Sequence, residues 1–170
     1  MEVILIIVGA VTRLVPHPYN FTAVGALAIF VGANLKKSQW YIPFIVMLFT
    51  DTILGFHSTM IYVYASFALG IGIGYLIRKK QNILTVPMAS LISSILFYLI
   101  TNFGVWQSSV FMYEHTLNGL MLCYIVAIPF FRNTVLGDLV YTTAFFSAYH
   151  YRAEIWNQSL LLLKLSHRRA

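Results

Sequence analysis

Nearly continuous apolar stretches divide the chain: Val3 to Val15, Phe21 to Leu35, Trp40 to Phe56, Thr59 to Ile77, Ile83 to Phe103, Leu117 to Phe131 and Thr134 to Tyr151. They are of helix length and do not alternate apolar and polar positions as barrel strands of about 10 residues do, so the pattern predicts an all-α membrane bundle. At about 1.5 Å per residue, the first, second and sixth stretches fall short of a hydrocarbon layer about 30 Å thick. Each is expected to tilt, dip in or fail to cross.

Charge placement decides between topologies. Lys36 and Lys37 follow the second stretch, Arg78, Lys79 and Lys80 the fourth, and Arg152, Lys164, Arg168 and Arg169 the last. Six crossings put all of these on the cytoplasmic side if the sixth stretch is a short re-entrant or interfacial helix before the last span; seven would put the tail outside, against the positive-inside rule. The expectation is therefore six transmembrane helices with both termini cytoplasmic in a bacterial inner membrane. A single helical domain covers residues 1–151, and a basic tail, 152–170, either lies on the inner surface or extends loosely. Glu2 is the only early charge, so the basic start of a signal peptide is missing and the first helix is expected to be retained.

Composition agrees with this reading. The 170 residues are 59% hydrophobic and only 9% charged, against roughly 25% in a soluble domain. The net charge of +6 reads as loop topology and attraction to anionic lipid, since no basic run is interleaved with aromatics as in a nucleic-acid-binding chain. The single cysteine, Cys123, excludes an internal disulfide and multi-cysteine metal or cluster sites. Gly25, Ala28 and Gly32 form a small-residue stripe at helical spacing, and Gly70 with Gly74 a GxxxG pair; both permit close approach of helix backbones. Gly70, Gly72 and Gly74 do not match the dinucleotide-binding GxGxxG.

Against this background the buried charges carry the chemistry. Asp51 and Asp138 sit inside apolar runs of a chain with five acidic residues, and Arg13 sits in a third. A charge at the centre of a membrane helix costs several kcal/mol by insertion scales, so such groups pair with one another or line a site. On six crossings, Arg13, Asp51, Asn102 and Asp138 all fall near the outer ends of their spans, with His17, Asn20, His57, Glu114 and His115 in the adjoining loops. Two readings follow. Either Arg13 pairs with Asp51 or Asp138 for structure, or the same layer lines an outward-facing pocket with Tyr62, Tyr64, Trp106 and Tyr141 as candidate aromatic walls. His17, His57 and His115 lie on separate loops without metal-ligand spacing, so no metal and no cofactor is expected.

Catalytic and energy-coupling motifs are missing from the chain. Lys37-Ser38 lacks the glycines of a phosphate loop, and there is no HExxH, GxSxG or aspartate-rich diphosphate motif. The protein is not expected to be an enzyme or an ATPase by itself. A membrane-integral enzyme or an assembly factor of unknown chemistry is the alternative to a solute-binding protein.

The segment Arg13-Leu14-Val15-Pro16-His17-Pro18-Tyr19-Asn20-Phe21-Thr22, with Gly25-Ala26-Leu27-Ala28, Asp51 to His57, Thr101 to Trp106, Tyr113 to Leu120 and Ala127 to Tyr141, resembles a family of uncharacterised bacterial membrane proteins described as transport proteins. More distantly, the layout is similar to the substrate-binding S-components of energy-coupling-factor vitamin transporters. There a first outer loop folds over the pocket, and a Pro-Phe then Gly-Asp pattern enters the last span, as Pro129-Phe130 and Gly137-Asp138 do here. In biotin-type members a lysine follows that aspartate by three residues; this chain has Tyr141. The resemblance implies capture of a vitamin-like, ring-containing small solute from outside, and docking on a membrane T-component with ATPase subunits. It departs from the family on the first helix, which offers only Gly9 and Ala10 in place of an alanine-spaced docking motif. The residues it and the charge layer single out for substrate are Arg13, His17, Asn20, Asp51, His57, Asn102, Trp106, Asp138 and Tyr141. The near balance of Arg13 and Arg132 against Asp51, Glu114 and Asp138 predicts a ligand without high charge.

Overall fold

The computed structural model describes residues 2–108 and 112–167, with side chains described over 3–108 and 112–152. Among the described residues the regular structure is helical: α1 (Glu2–Leu14), α2 (Val24–Asn34), α3 (Ile42–Leu54), α4 (Met60–Ile77), α5 (Thr85–Ser108), α6 (Leu117–Val126) and α7 (Ile128–His167), with a 3₁₀ turn at Lys37–Gln39.

The shortest of the early helices is the centre of the bundle. The α2 sequence VGALAIFVGAN is apolar all round, and a helix without a polar face has to be enclosed. Residues Val24 to Ala33 are accordingly buried, apart from partial exposure at Gly25, with α4, α7, α3 and α5 packed around them. Because protein surrounds it, α2 needs no membrane-matching length.

The close approach that the glycine spacing predicts is present between α2 and α4. A methyl group on Gly32 would lie 2.0 Å from the Ile71 carbonyl oxygen, and one on Gly74 would lie 2.0 Å from that of Ile29. Backbone lies against backbone at both points, so neither position can yield by moving a side chain. Gly70 meets Ala28 and Ser93 in the same seam. Gly25 has a different task, described below.

By length and composition, fewer helices than the expected six crossings qualify as single spans, and the first and second stretches are short helices as their lengths predict. Two single helices, Met60–Ile77 and Thr85–Ser108, are long and apolar enough to cross a membrane, and a third span arises if Leu117–Val126 and Ile128–Arg152, bent by 49°, count as one. Val3–Leu14 and Val24–Asn34 are shorter apolar helices. The outward faces carry Ile45, Leu48, Phe49, Ile61, Leu69, Ile92 and Val140 in exposed positions, which fits a lipid solvent.

The sixth and seventh stretches also divide differently from the pattern. The break falls at Ala127, not between Phe131 and Thr134, because Pro129 has no N–H for the Ile125 carbonyl and is tolerated only in the first turn of a new helix. The Ala127 N–H closes α6 onto Cys123 and Tyr124. From Ile128 the helix then runs to His167, so residue 151 lies inside one helix. The Glu154 to Leu165 side chains, and Arg168 and Arg169, fall outside the described portion.

Candidate functional site

A cavity of about 560 Å³ opens at the end of the bundle where the α1–α2 and α3–α4 connections lie. Its walls include the loop residues His17, Tyr19, Asn20 and Thr22, the first turn of α2, one face each of α4 and α5, the start of α7, and Arg13, Met47 and Leu54 from α1 and α3. The loop is held over α7 by Asn133, whose side-chain amide donates to the Tyr19 carbonyl at 3.1 Å, and by the Tyr19 ring set edge-on against Phe130. Asn20 takes a left-handed backbone (φ 65°), a conformation that asparagine tolerates better than most residues.

Six of the residues singled out from sequence line this cavity: Arg13, His17, Asn20, His57, Asn102 and Asp138. Asp51 stands behind it. Its carboxylate is fully buried, with Oδ1 2.9 Å from the Arg13 guanidinium and Oδ2 accepting from the Tyr64 hydroxyl at 3.0 Å. The ion contact is electrostatic and not a directed hydrogen bond, since Oδ1 has no donor aligned on it. Arg13 instead directs Nη1 at the Thr50 hydroxyl, 2.5 Å away, and at the Met47 sulfur, 3.1 Å away. Of the two partners open to Arg13 in the sequence, the packing of α1 on α3 selects Asp51.

Trp106 and Tyr141 do not line the cavity. The Trp106 indole donates to the Glu114 carbonyl at 2.9 Å and lies tilted against the ring of His115, whose Nε2 is 3.1 Å from the Trp106 carbonyl. Both groups fasten the α5–α6 connection. Tyr141 packs edge-on against Phe21. Tyr62 and Tyr64 are likewise engaged elsewhere: Tyr62 covers Gly104 and hydrogen-bonds Gln107, and Tyr64 stacks on Phe44 beside Asp51. The aromatic walls are instead Phe67, Phe97, Tyr98, Phe130 and Phe131.

Asp138 occupies the floor. It is 5% exposed, and its Oδ2 accepts from the Ser94 hydroxyl at 2.7 Å. The backbone amide of Ala26 is a second donor, which places the carboxylate against the N-terminal turn of α2. That turn has no side-chain cap of its own, and its unpaired N–H groups favour a negative charge. Gly25 makes the approach possible: a methyl group there would lie 2.2 Å from Asp138 Oδ1. Among the described residues the ion pair found joins Arg13 to Asp51, and none reaches Asp138.

Sequence reading missed the hydroxyls of the floor. Ser66, Ser93 and Thr134 are buried and line the cavity, Ser94 holds Asp138, and Ser90 behind it takes a 3.4 Å contact from Thr142. The polar layer therefore runs deeper along α5 and α7 than the charged residues alone mark. The signal was available in the spacing of Ser90, Ser93, Ser94, Phe97 and Thr101, which puts all five on one helical face.

A helical bundle with apolar outer faces, membrane-length helices and a charged cavity at one end defines the class. Within it, the chain belongs to a family of unknown function, DUF6580, whose model matches residues 1–159. None of the curated proteins and none of the solved structures matches the chain.

Proposed function

We propose that this is a membrane solute-binding or transport protein that captures a small, ring-containing molecule in the cavity above Asp138. The observation that carries the reading is a cavity of about 560 Å³ with aromatic walls and a buried carboxylate on its floor. That volume lies within the roughly 300–1,000 Å³ of small-molecule sites, and the mix of rings with a few convergent polar groups is the usual lining of one. Phe67, Phe97 and Phe131 face a ring, Asn102 and Thr134 offer hydrogen bonds, and the His17 to Thr22 loop covers the entrance.

The setting belongs to the same proposal: a bacterial inner membrane, the cavity facing outward, both termini cytoplasmic. Similarity in layout to S-components extends it to docking on a T-component with ATPase subunits, because the chain has no phosphate loop of its own. A reporter fused after Arg169 is expected to read cytoplasmic; a periplasmic reading overturns the orientation. The binding role is tested by native mass spectrometry of the full chain purified in mild detergent. A retained small molecule, released on denaturation, is the expected result. Protein that carries only lipid or detergent at every step contradicts it.

A further inference from the structure

The distribution of charge around the cavity narrows the class of solute, and the inference rests on the cavity being a solute site. Four ionisable side chains of the charged or imidazole type line it: Arg13, His17, His57 and Asp138. Arg13 is neutralised from behind by Asp51, 2.9 Å away. His17 and His57 lie at the exposed rim, and each turns Nδ1 to a local partner, the Val15 carbonyl at 2.6 Å and the Thr59 hydroxyl at 2.9 Å. Asp138 is thus the remaining charge, and its partners are the neutral Ser94 hydroxyl and the Ala26 amide.

The start of α2 offsets this charge only in part, since a helix end is equivalent to about half an elementary charge. A low-dielectric floor makes the remainder count for more than it would in water. Around it stand the rings of Phe67, Phe97, Tyr98, Phe130 and Phe131, whose π faces attract a cation. We propose that the cavity takes a monocationic solute, a protonated amine carried on a small apolar or aromatic ring. The ammonium rests on Asp138, with the Ser93 and Thr134 hydroxyls as further acceptors. The ring fills the space between α4 and α5.

Three probes that share one ring and one two-carbon arm test this on the full chain in detergent at neutral pH: 2-phenylethylamine, 2-phenylethanol and phenylacetate. Calorimetric titration of each is expected to show the amine binding about tenfold or more tighter than the alcohol, with phenylacetate weakest. In Asp138→Asn the amine is expected to fall to the level of the alcohol. The three-probe ranking on the unaltered protein needs no variant to fold. Equal binding of amine and alcohol, or tighter binding of phenylacetate, overturns the cationic class and leaves the cavity as a site for another solute. Failure of all three to bind overturns the cavity as a site for ring-containing solutes and the cationic class with it.

Discussion

The molecule buries two aspartates in two different ways. Asp51 is sealed between α1, α3 and α4 with an arginine on one oxygen and a tyrosine on the other. Asp138 stands between α2, α5 and α7, beside a cavity, with a serine and a backbone amide and no cation. The first arrangement is closed: the counter-charge of Asp51 is supplied from within the chain. In the second, a charge has been brought to the floor of an open space, and Gly25 is kept free of a side chain to let it sit there. Burial of an acid is therefore not by itself a sign of function; what separates the two is whether its counter-charge is internal.

Removing one partner of the closed pair is expected to have the largest effect. Asp51→Asn leaves the Arg13 guanidinium without its counter-ion in a largely buried setting, 16% exposed, and should lower unfolding free energy by about 3–5 kcal/mol. Replacing both partners with apolar residues, Arg13→Met with Asp51→Leu, should recover much of that loss. Denaturant titration in detergent checks both. If the double variant is no more stable than Asp51→Asn, Arg13 and Asp51 are not a closed pair.

A methyl group on Gly25 tests the open arrangement next. Gly25→Ala drives its Cβ into the Asp138 carboxylate, and overpacking of this kind costs about 1–3 kcal/mol. The carboxylate must shift, so retention of bound solute is expected to fall together with thermal stability. Unchanged retention would detach Asp138 from the site. The smallest effect is expected at Tyr141→Phe, within about 0.5 kcal/mol, because the ring contact with Phe21 survives and the hydroxyl is not at the cavity. A large loss of binding there would extend the site along α7 to Tyr141 and Phe21.

How much of this was legible in the sequence follows from which interactions are local. The scarcity of charge made Arg13, Asp51 and Asp138 visible at once, and helical spacing made the α2 and α4 glycines readable as a packing seam. The choice of Asp51 over Asp138 as the partner of Arg13 was not readable, because it depends on α1 lying against α3 across 38 residues of chain. The walls were misread for a related reason. Tyrosines and a tryptophan look like ligand contacts because they carry a polar handle, but Tyr62, Tyr64 and Trp106 use that handle on Gln107, Asp51 and Glu114. Phenylalanines, with no internal obligation, were left to face the cavity. The break at Ala127 follows from one missing N–H, which a hydropathy pattern does not register.

The comparison of the two aspartates comes down to Asp138→Asn, with Asp51→Asn beside it. Both variants are purified, and for each the bound-solute occupancy and the melting temperature of solute-free protein are measured together. Solute binding in Asp138→Asn is expected to fall by a larger factor than its solute-free stability changes, while Asp51→Asn shows the opposite ranking. Occupancy preserved in Asp138→Asn with a collapse of solute-free stability would contradict the account, leaving both carboxylates as parts of the scaffold.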